Sequence, residues 1–261
     1  MCGIIGFNFD DGALAQRMCD IMAHRGPDGE GFYTNANITL GHRRLSIIDL
    51  ATGDQPIYNE DGSIVVVYNG EIYNFKALRE QLEARGHRFV TESDTEVIVH
   101  AYEEYGLNCV RLFNGMFAFA LYDANDDLLF LARDRCGIKP LHYTLLDDGT
   151  FLFASEIKSI LQYKRVPVAM DPNSLHCIIN LRYIPGEKTM FKGIKRLLPG
   201  HILTLQKQKV YIQQYWEPTF IPGTEPEDYY IQALRNHLEA SVRRHLASDV
   251  PVGIMLSGGI D

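Results

Sequence analysis

The sequence predicts an α+β fold in which two sheets pack together with helices outside, and three observations carry that expectation. Ile64–Val67 and Phe117–Leu121 are apolar without alternation, as strands buried on both faces are. Ala13–Met22, Lys76–Arg85 and Thr95–Tyr105 carry apolar residues at helical spacing. Short acidic or glycine-containing turns join most later strands to their successors, which makes the pairing largely antiparallel.

Taken in order, Gly3–Phe9 reads as the first strand, and Ala13–Met22 sets Leu14, Met18, Ile21 and Met22 on one helical face. Ile64–Val67 is a β-branched run that ends in Tyr68 and the turn dipeptide Asn69-Gly70. The helices Lys76–Arg85 and Thr95–Tyr105 stop at Gly86 and Gly106. Met116–Tyr122 and Leu128–Ala132 form a hairpin around Asp126, and Leu141–Leu146 and Phe151–Ala154 form another across Asp147-Asp148-Gly149. Ile202–Leu205 and Val210–Ile212 make a third pair. Glu217–Glu227 gathers Pro218, Pro222, Gly223 and Pro226 among acids, a linker composition. Asp228–Leu246 reads as a helix, with Ile231, Leu234, Leu238, Val242 and Leu246 in register, and Pro251–Leu256 as a short apolar strand. The expected division is one domain over residues 1–216, a linker over 217–227, and the opening of an α/β domain over 228–261. A lone helix and strand cannot bury a core, so the chain is expected to be part of a longer protein.

Composition narrows the function classes. At 261 residues, with 46% apolar and 22% charged residues, the chain is an ordinary globular protein. Its net charge of −8 and the lack of a basic block argue against nucleic acid or an anionic membrane as the partner. No apolar stretch approaches a membrane span and no signal peptide is recognisable, so a cytoplasmic location is expected. Cys2, Cys19, Cys109, Cys136 and Cys177 are odd in number and far apart, which fits neither a disulfide framework nor a zinc site.

Cys2 stands directly behind Met1. Removal of Met1 would leave a thiol and a free α-amine on one Cα. A thiol titrates at about 8.5 and an α-amine at about 7.7–8.0, so the amine can take the thiol's proton. One residue then supplies nucleophile and base, the arrangement of N-terminal-nucleophile hydrolases. The alternative is a buried cysteine at the start of a strand.

Several segments together resemble the asparagine synthetase family, whose amino-terminal half is a class II glutamine amidotransferase domain. They are Met1-Cys2-Gly3-Ile4-Ile5-Gly6, His24-Arg25-Gly26-Pro27-Asp28, Arg44-Leu45-Ser46-Ile47-Ile48-Asp49 and Tyr68-Asn69-Gly70-Glu71-Ile72-Tyr73-Asn74. Glu92-Ser93-Asp94-Thr95-Glu96, Gly115-Met116-Phe117-Ala118-Phe119-Ala120, Arg133-Asp134-Arg135 and Leu256-Ser257-Gly258-Gly259 continue in family order. The resemblance implies a four-layer αββα sandwich that hydrolyses glutamine to glutamate and ammonia. It also implies the first helix and strand of an α/β ATP-pyrophosphatase domain, where ATP and Mg2+ activate aspartate for amidation. A homodimer is what the family implies.

By that resemblance Cys2 forms a γ-glutamyl thioester, and the Asn69 amide and Gly70 N–H stabilise the oxyanion, each such donor contributing about 10²–10³ in rate. Arg44 matches the partner of the glutamine carboxylate, a role suited to a guanidinium fork; adjacent Arg43 is expected on the other side of an extended strand, facing solvent. Leu45 and Ile47 match backbone contacts to glutamine, and Glu71 and Asp94 match partners of its ammonium. Asp94 also reads as a helix N-cap, and Glu71 as a solvated loop acid. His24–Asp28 reads as loop architecture. Leu256, Ser257, Gly258, Gly259 and Asp261 match the ATP loop, in which backbone N–H groups converge on phosphate. Met116–Leu121 can line an ammonia path, with ordinary core as the alternative. Two further readings stay open: an amidotransferase serving another adenylated carboxylate, on a sugar or peptide, and a non-catalytic glutamine-binding domain.

Overall fold

The computed structural model describes residues 1–259. Its strands in chain order are β1 (Gly3–Phe7), β2 (Gly29–Thr34), β3 (Thr39–Arg44), β4 (Ile57–Tyr58), β5 (Ile64–Ile72) and β6 (Gly115–Asp123). They continue with β7 (Leu128–Arg133), β8 (His142–Leu145), β9 (Phe151–Ala154), β10 (Lys195–Arg196), β11 (His201–Gln206) and β12 (Lys209–Gln214). The helices are α1 (Gly12–Asp20), α2 (Phe75–Glu83), α3 (Glu96–Tyr105), α4 (Ile157–Ile160), α5 (Pro172–Leu181) and α6 (Glu227–His245). Two antiparallel sheets result, one in the order β10-β8-β9-β1-β3-β2 and the other β12-β11-β7-β6-β5-β4.

Alternation along a strand sends successive side chains to opposite faces, and here both faces are covered. Ile5 and Phe7 of β1 pack with Leu14 and Met18 of α1. Ile4 joins Val65, Val67, Ala118 and Ala120 between the sheets. Val66, Tyr68, Phe117 and Phe119 meet Leu78 and Leu82 of α2 and Val97 and Ala101 of α3. The layers are therefore helix, sheet, sheet, helix, and the unbroken apolar runs are strands sandwiched twice. Each fully buried phenylalanine in these layers contributes about 1.5–3 kcal/mol by leaving water.

Several expectations change on contact with the structure. β5 does not end at Tyr68. It runs to Ile72, with Asn69 opposite Ala118 and Gly70 opposite Phe117, so Asn-Gly sits inside a paired strand and makes no turn. Thr95, not Asp94, takes the N-cap position of α3, and no side chain caps it. Arg43 does not face solvent: its side chain is mostly buried and pairs with Glu30 at 2.5 Å. Residues 251–256 form no strand, because no neighbouring strand among the described residues offers them a ladder. Strands β2, β3 and β10 lie in segments whose charges and glycines hid their periodicity, β4 and α4 are too short to show one, and α5 was not foreseen.

Candidate active site

β1 and β3 are adjacent and antiparallel, with Gly3 opposite Arg43, so Cys2 and Arg44–Leu45 emerge together at one end of the first sheet. The Leu45 N–H lies 3.4 Å from Cys2 Sγ, and the thiol lies 3.7 Å from Leu45 O. Arg25 holds the terminus in place: its Nε donates to Cys2 O at 2.8 Å and its Nη1 pairs with Glu156 at 3.1 Å. Asp28 accepts from Ser46 N at 2.8 Å, and its own N–H bonds Arg44 O at 3.0 Å. Gly26 lies so close to β3 that a Cβ there would meet Arg43 O at 2.4 Å. His24–Asp28 is thus loop architecture that fixes the Cys2 end of β1, although Asp28 bonds Ser46 and not its own turn.

The second sheet supplies the facing wall. Cys2, Arg44, Leu45, Ile47, Asn69, Gly70, Glu71 and Asp94 all border one cavity of about 390 Å³, together with Met1, Tyr68, Met116 and Lys139. Tyr68 N donates to Gln55 and Ile72 N to Asp94, both on the side of β5 away from β6. Gly70 lies between them at the same parity, so its N–H points the same way and is not spent on the ladder. Only glycine fits there, since a Cβ would meet Met116 O at 2.3 Å. Asn69 is 1% exposed, and its Nδ2 has no hydrogen-bond partner among the described residues. Such a donor costs about 1–3 kcal/mol when left unmade.

The charges around the cavity are buried and unevenly paired. Asp94 is 4% exposed. Its Oδ2 accepts from Tyr68 Oη at 2.9 Å and from Ile72 N at 2.8 Å, and neither bond uses Oδ1. Burial pushes its carboxyl up to about 6 and outweighs these donors. Burial also raises Glu71, which lies within β5 and not in a loop. Arg44 Nη1 donates to Asp54 at 2.6 Å, and its Nη2 reaches the carbonyls of Ile48 and Asp49. Its fork is therefore held by the loop that follows β3. Ile47 O accepts from Asp249 N at 3.0 Å, and Asp49 N donates to Asp249 Oδ2 at 2.8 Å, which ties the segment after α6 to this loop.

Burial raises the Cys2 thiol above its ordinary range, while the Leu45 N–H and nearby positive charges, Lys139 among them, act the other way. Lys139 was missed in the sequence. The residue is 5% exposed, and its ammonium makes no ion pair within 4.0 Å among the described residues and is pushed down by burial. The signal lay beside a quoted motif. Asp134 accepts from Phe117 N, Cys136 N, Ile138 N and Lys139 N, which folds the loop after Arg133-Asp134-Arg135 back toward Cys2.

Neither His24 nor His42 borders the cavity. His24 pairs with Glu156 at 3.0 Å on the surface. His42 is fully buried beside Tyr68 O at 3.0 Å, and burial lowers it to about 3, so it stays neutral. Met1 does border the cavity, and burial lowers its α-amine. Of Met116–Leu121 only Met116 reaches the cavity; Phe117–Leu121 are core. Leu256, Ser257, Gly258 and Gly259 are exposed, and the structure does not bring them to this site. Gly259 N reaches Ser257 Oγ at 3.3 Å. Asp261 lies outside the described residues.

Comparison with known proteins agrees with this geometry. Residues 1–216 match the family model described as a glutamine amidotransferase domain, and residues 233–261 match asparagine synthase. Asparagine synthetases [glutamine-hydrolyzing] 1 and 3 of Bacillus subtilis (strain 168) are 38% and 41% identical over the whole chain. The chain spans 42% and 44% of their lengths, less than half. Amidase chyE of Penicillium rubens is 41% identical over 93% of the chain and 36% of that protein. Among solved structures, glutamine phosphoribosylpyrophosphate amidotransferase from B. subtilis superposes with a TM-score of 0.58 at 20% identity, over 83% of this chain and 50% of that one. The fold is that of the class II, N-terminal-nucleophile amidotransferases. The chain belongs to the glutamine amidotransferase domain family over residues 1–216, and its residues 233–261 are similar to asparagine synthase.

Proposed function

We propose that this chain hydrolyses glutamine to glutamate and ammonia with Cys2 as nucleophile. The observation that carries this reading is the unpartnered, buried Asn69 amide bordering the same cavity as the Cys2 thiol. Removal of Met1 frees the Cys2 amine and vacates the cavity mouth that Met1 occupies. The amine then takes the thiol's proton as sulfur attacks the side-chain carbonyl. Asn69 Nδ2 and Gly70 N–H receive the oxyanion, ammonia leaves with that proton, and water later cleaves the thioester. Arg44 receives the glutamine carboxylate once Asp54 yields or shares the fork, and Asp94 Oδ1 with Glu71 receives the ammonium. Lys139 lies where its charge favours thiolate. Leu45 serves sulfur through its backbone N–H, and Ile47 shapes the wall.

By similarity to the named synthetases, the ammonia amidates aspartate activated with ATP and Mg2+, in a part of those relatives that this chain does not span. Residues 1–216 form the glutaminase domain in this reading, 217–227 the linker, and 228–261 the start of the synthetase domain. Met116 marks the wall at which an ammonia path would open. No helix among the described residues is long and apolar enough to cross a membrane, consistent with a cytoplasmic enzyme. A homodimer fits the family. A different acceptor is the second reading, and the 41% identity to an enzyme named amidase is the observation that favours it. Assay of glutamate and ammonia from glutamine, on wild type and Cys2→Ala, tests the proposal; equal release by both would refute it.

A further inference from the structure

The outer helical layer holds a second convergence of side chains, away from the cavity. Glu60 comes from the turn after β4, His87 follows α2, and His100 and Glu103 lie in α3. One possible ligand atom from each lies within 4.8 Å of the others. Both imidazoles turn Nδ1 toward the shared carboxylates. His100 Nδ1 is 3.0 Å from Glu103 Oε2 and 3.4 Å from Glu60 Oε2; His87 Nδ1 is 3.2 Å from Glu60 Oε1 and 3.6 Å from Glu103 Oε2. Bonds of about 2.0–2.2 Å to a tetrahedral ion set ligand–ligand edges of about 3.3–3.6 Å. The four separations run from 3.0 to 3.6 Å, with Glu60 turning a different oxygen to each ring.

Four carboxylates surround the two imidazoles. The other ring nitrogens also face carboxylates: His87 Nε2 is 3.3 Å from Glu104 Oε1, and His100 Nε2 is 3.6 Å from buried Glu96 Oε1. A neutral imidazole has one lone pair, so in either tautomer each ring turns a lone pair on a carboxylate. Protonating both rings would relieve this but set two imidazoliums side by side, with centroids 4.8 Å apart. One metal ion at the Nδ1 side relieves both rings together. Glu96 and Glu104 would then stand behind the histidines as the carboxylates that orient such ligands. His100 is 0% exposed, whereas the Glu60 side chain is 35% exposed and leaves a way in.

We propose that Glu60, His87, His100 and Glu103 bind one divalent transition-metal ion of the zinc class. Two imidazoles and two carboxylates suit that class and not magnesium or calcium, which take oxygen ligands. The ion would act as a brace remote from the chemistry. Glu96, behind His100, also accepts from Val90 N and Thr91 N at 2.8 Å each, and that turn leads to Asp94 in the cavity wall.

The test is metal titration of the chelator-treated 261-residue chain, with Zn2+ against a chromogenic chelator and Co2+ followed by absorption. The expected result is one ion per chain, a Co2+ spectrum free of thiolate charge transfer, and about tenfold or greater weakening in His87→Gln. Glu60→Gln, partly exposed, should weaken binding likewise, and covers the case in which His87→Gln fails to fold. Absence of stoichiometric binding, a thiolate band abolished by Cys136→Ser, or an affinity unchanged in both variants would overturn the proposal.

Discussion

From Met1 to Tyr215 the chain folds around three apolar layers, whereas α6, from Glu227 to His245, buries no residue. Cys2, Arg44, Asn69, Asp94 and Lys139 come from five separate segments and meet at one cavity, because two sheets and their loops hold them there. Ser257, Gly258 and Gly259 are neighbours in sequence, are exposed and do not border that cavity. The difference teaches that adjacency in a motif is not convergence: groups become a site when packing elsewhere fixes their directions. Asp249, hydrogen-bonded to the loop that carries Ile47 and Asp49, and His245, whose ring centroid lies 4.5 Å from that of Tyr73, link the two regions.

If convergence at the cavity makes the enzyme, substitutions there should outweigh any made in the C-terminal segment. Cys2→Ala is expected to lower kcat for glutamine hydrolysis by about 10⁴-fold or more, as losses of other nucleophiles do. Asn69→Ala should lower kcat by about 10²–10³-fold with little change in KM, since its free Nδ2 has a partner only once the oxyanion forms.

Asp94→Asn tests a buried charge in two ways. The carboxyl titrates at about 6 in the folded protein against an ordinary 3.8. A raised folded value means a contribution present below about 3.8 that is lost as pH rises through about 6, so the charged form destabilises the fold at neutral pH. Asp94→Asn should therefore raise the Tm at pH 7 by a few degrees, about 1–3 kcal/mol, while its amide oxygen keeps the Tyr68 and Ile72 bonds. The same variant should raise KM for glutamine about 10–100-fold. In wild type, kcat/KM should fall as pH drops below about 6, where the ammonium loses its partner; a flat profile in that window would remove Asp94 from substrate binding.

Lys139→Met should lower kcat/KM about tenfold and move its acidic limb to higher pH, because a positive charge near the Cys2 sulfur is removed. Asp249→Ala is the smallest effect, no more than about threefold in KM, since it loosens a loop that Arg44 and Asp28 also hold. A larger loss in Asp249→Ala than in Asn69→Ala would reverse the contrast between the regions.

How much could be read in advance depended on the kind of signal. The sandwich was legible at Ile64–Val67 and Phe117–Leu121, where burial on both faces leaves no polar alternation. The cavity residues were legible through the family segments, and all eight border one space. β2 and β3 were not, because Gly31, His42 and Arg43 break the apolar pattern where they pack against neighbouring segments. Asn69-Gly70 misled in the other direction: the dipeptide favours a turn, yet nine paired residues of β5 keep it extended. Lys139 could not be placed, since its proximity to Cys2 depends on Asp134 folding the loop. His87 and His100 carry no spacing signature, because Glu60 joins them from across the sheet edge.

The central claim is that a thiol and an amine on the same terminal residue do the chemistry, and blocking Met1 removal tests it directly. An intact-mass measurement paired with glutaminase rates should find that active preparations lack Met1. A chain whose inserted second residue prevents excision should retain Met1 and lose hydrolysis. Full hydrolysis by a chain that still carries Met1 would contradict the account.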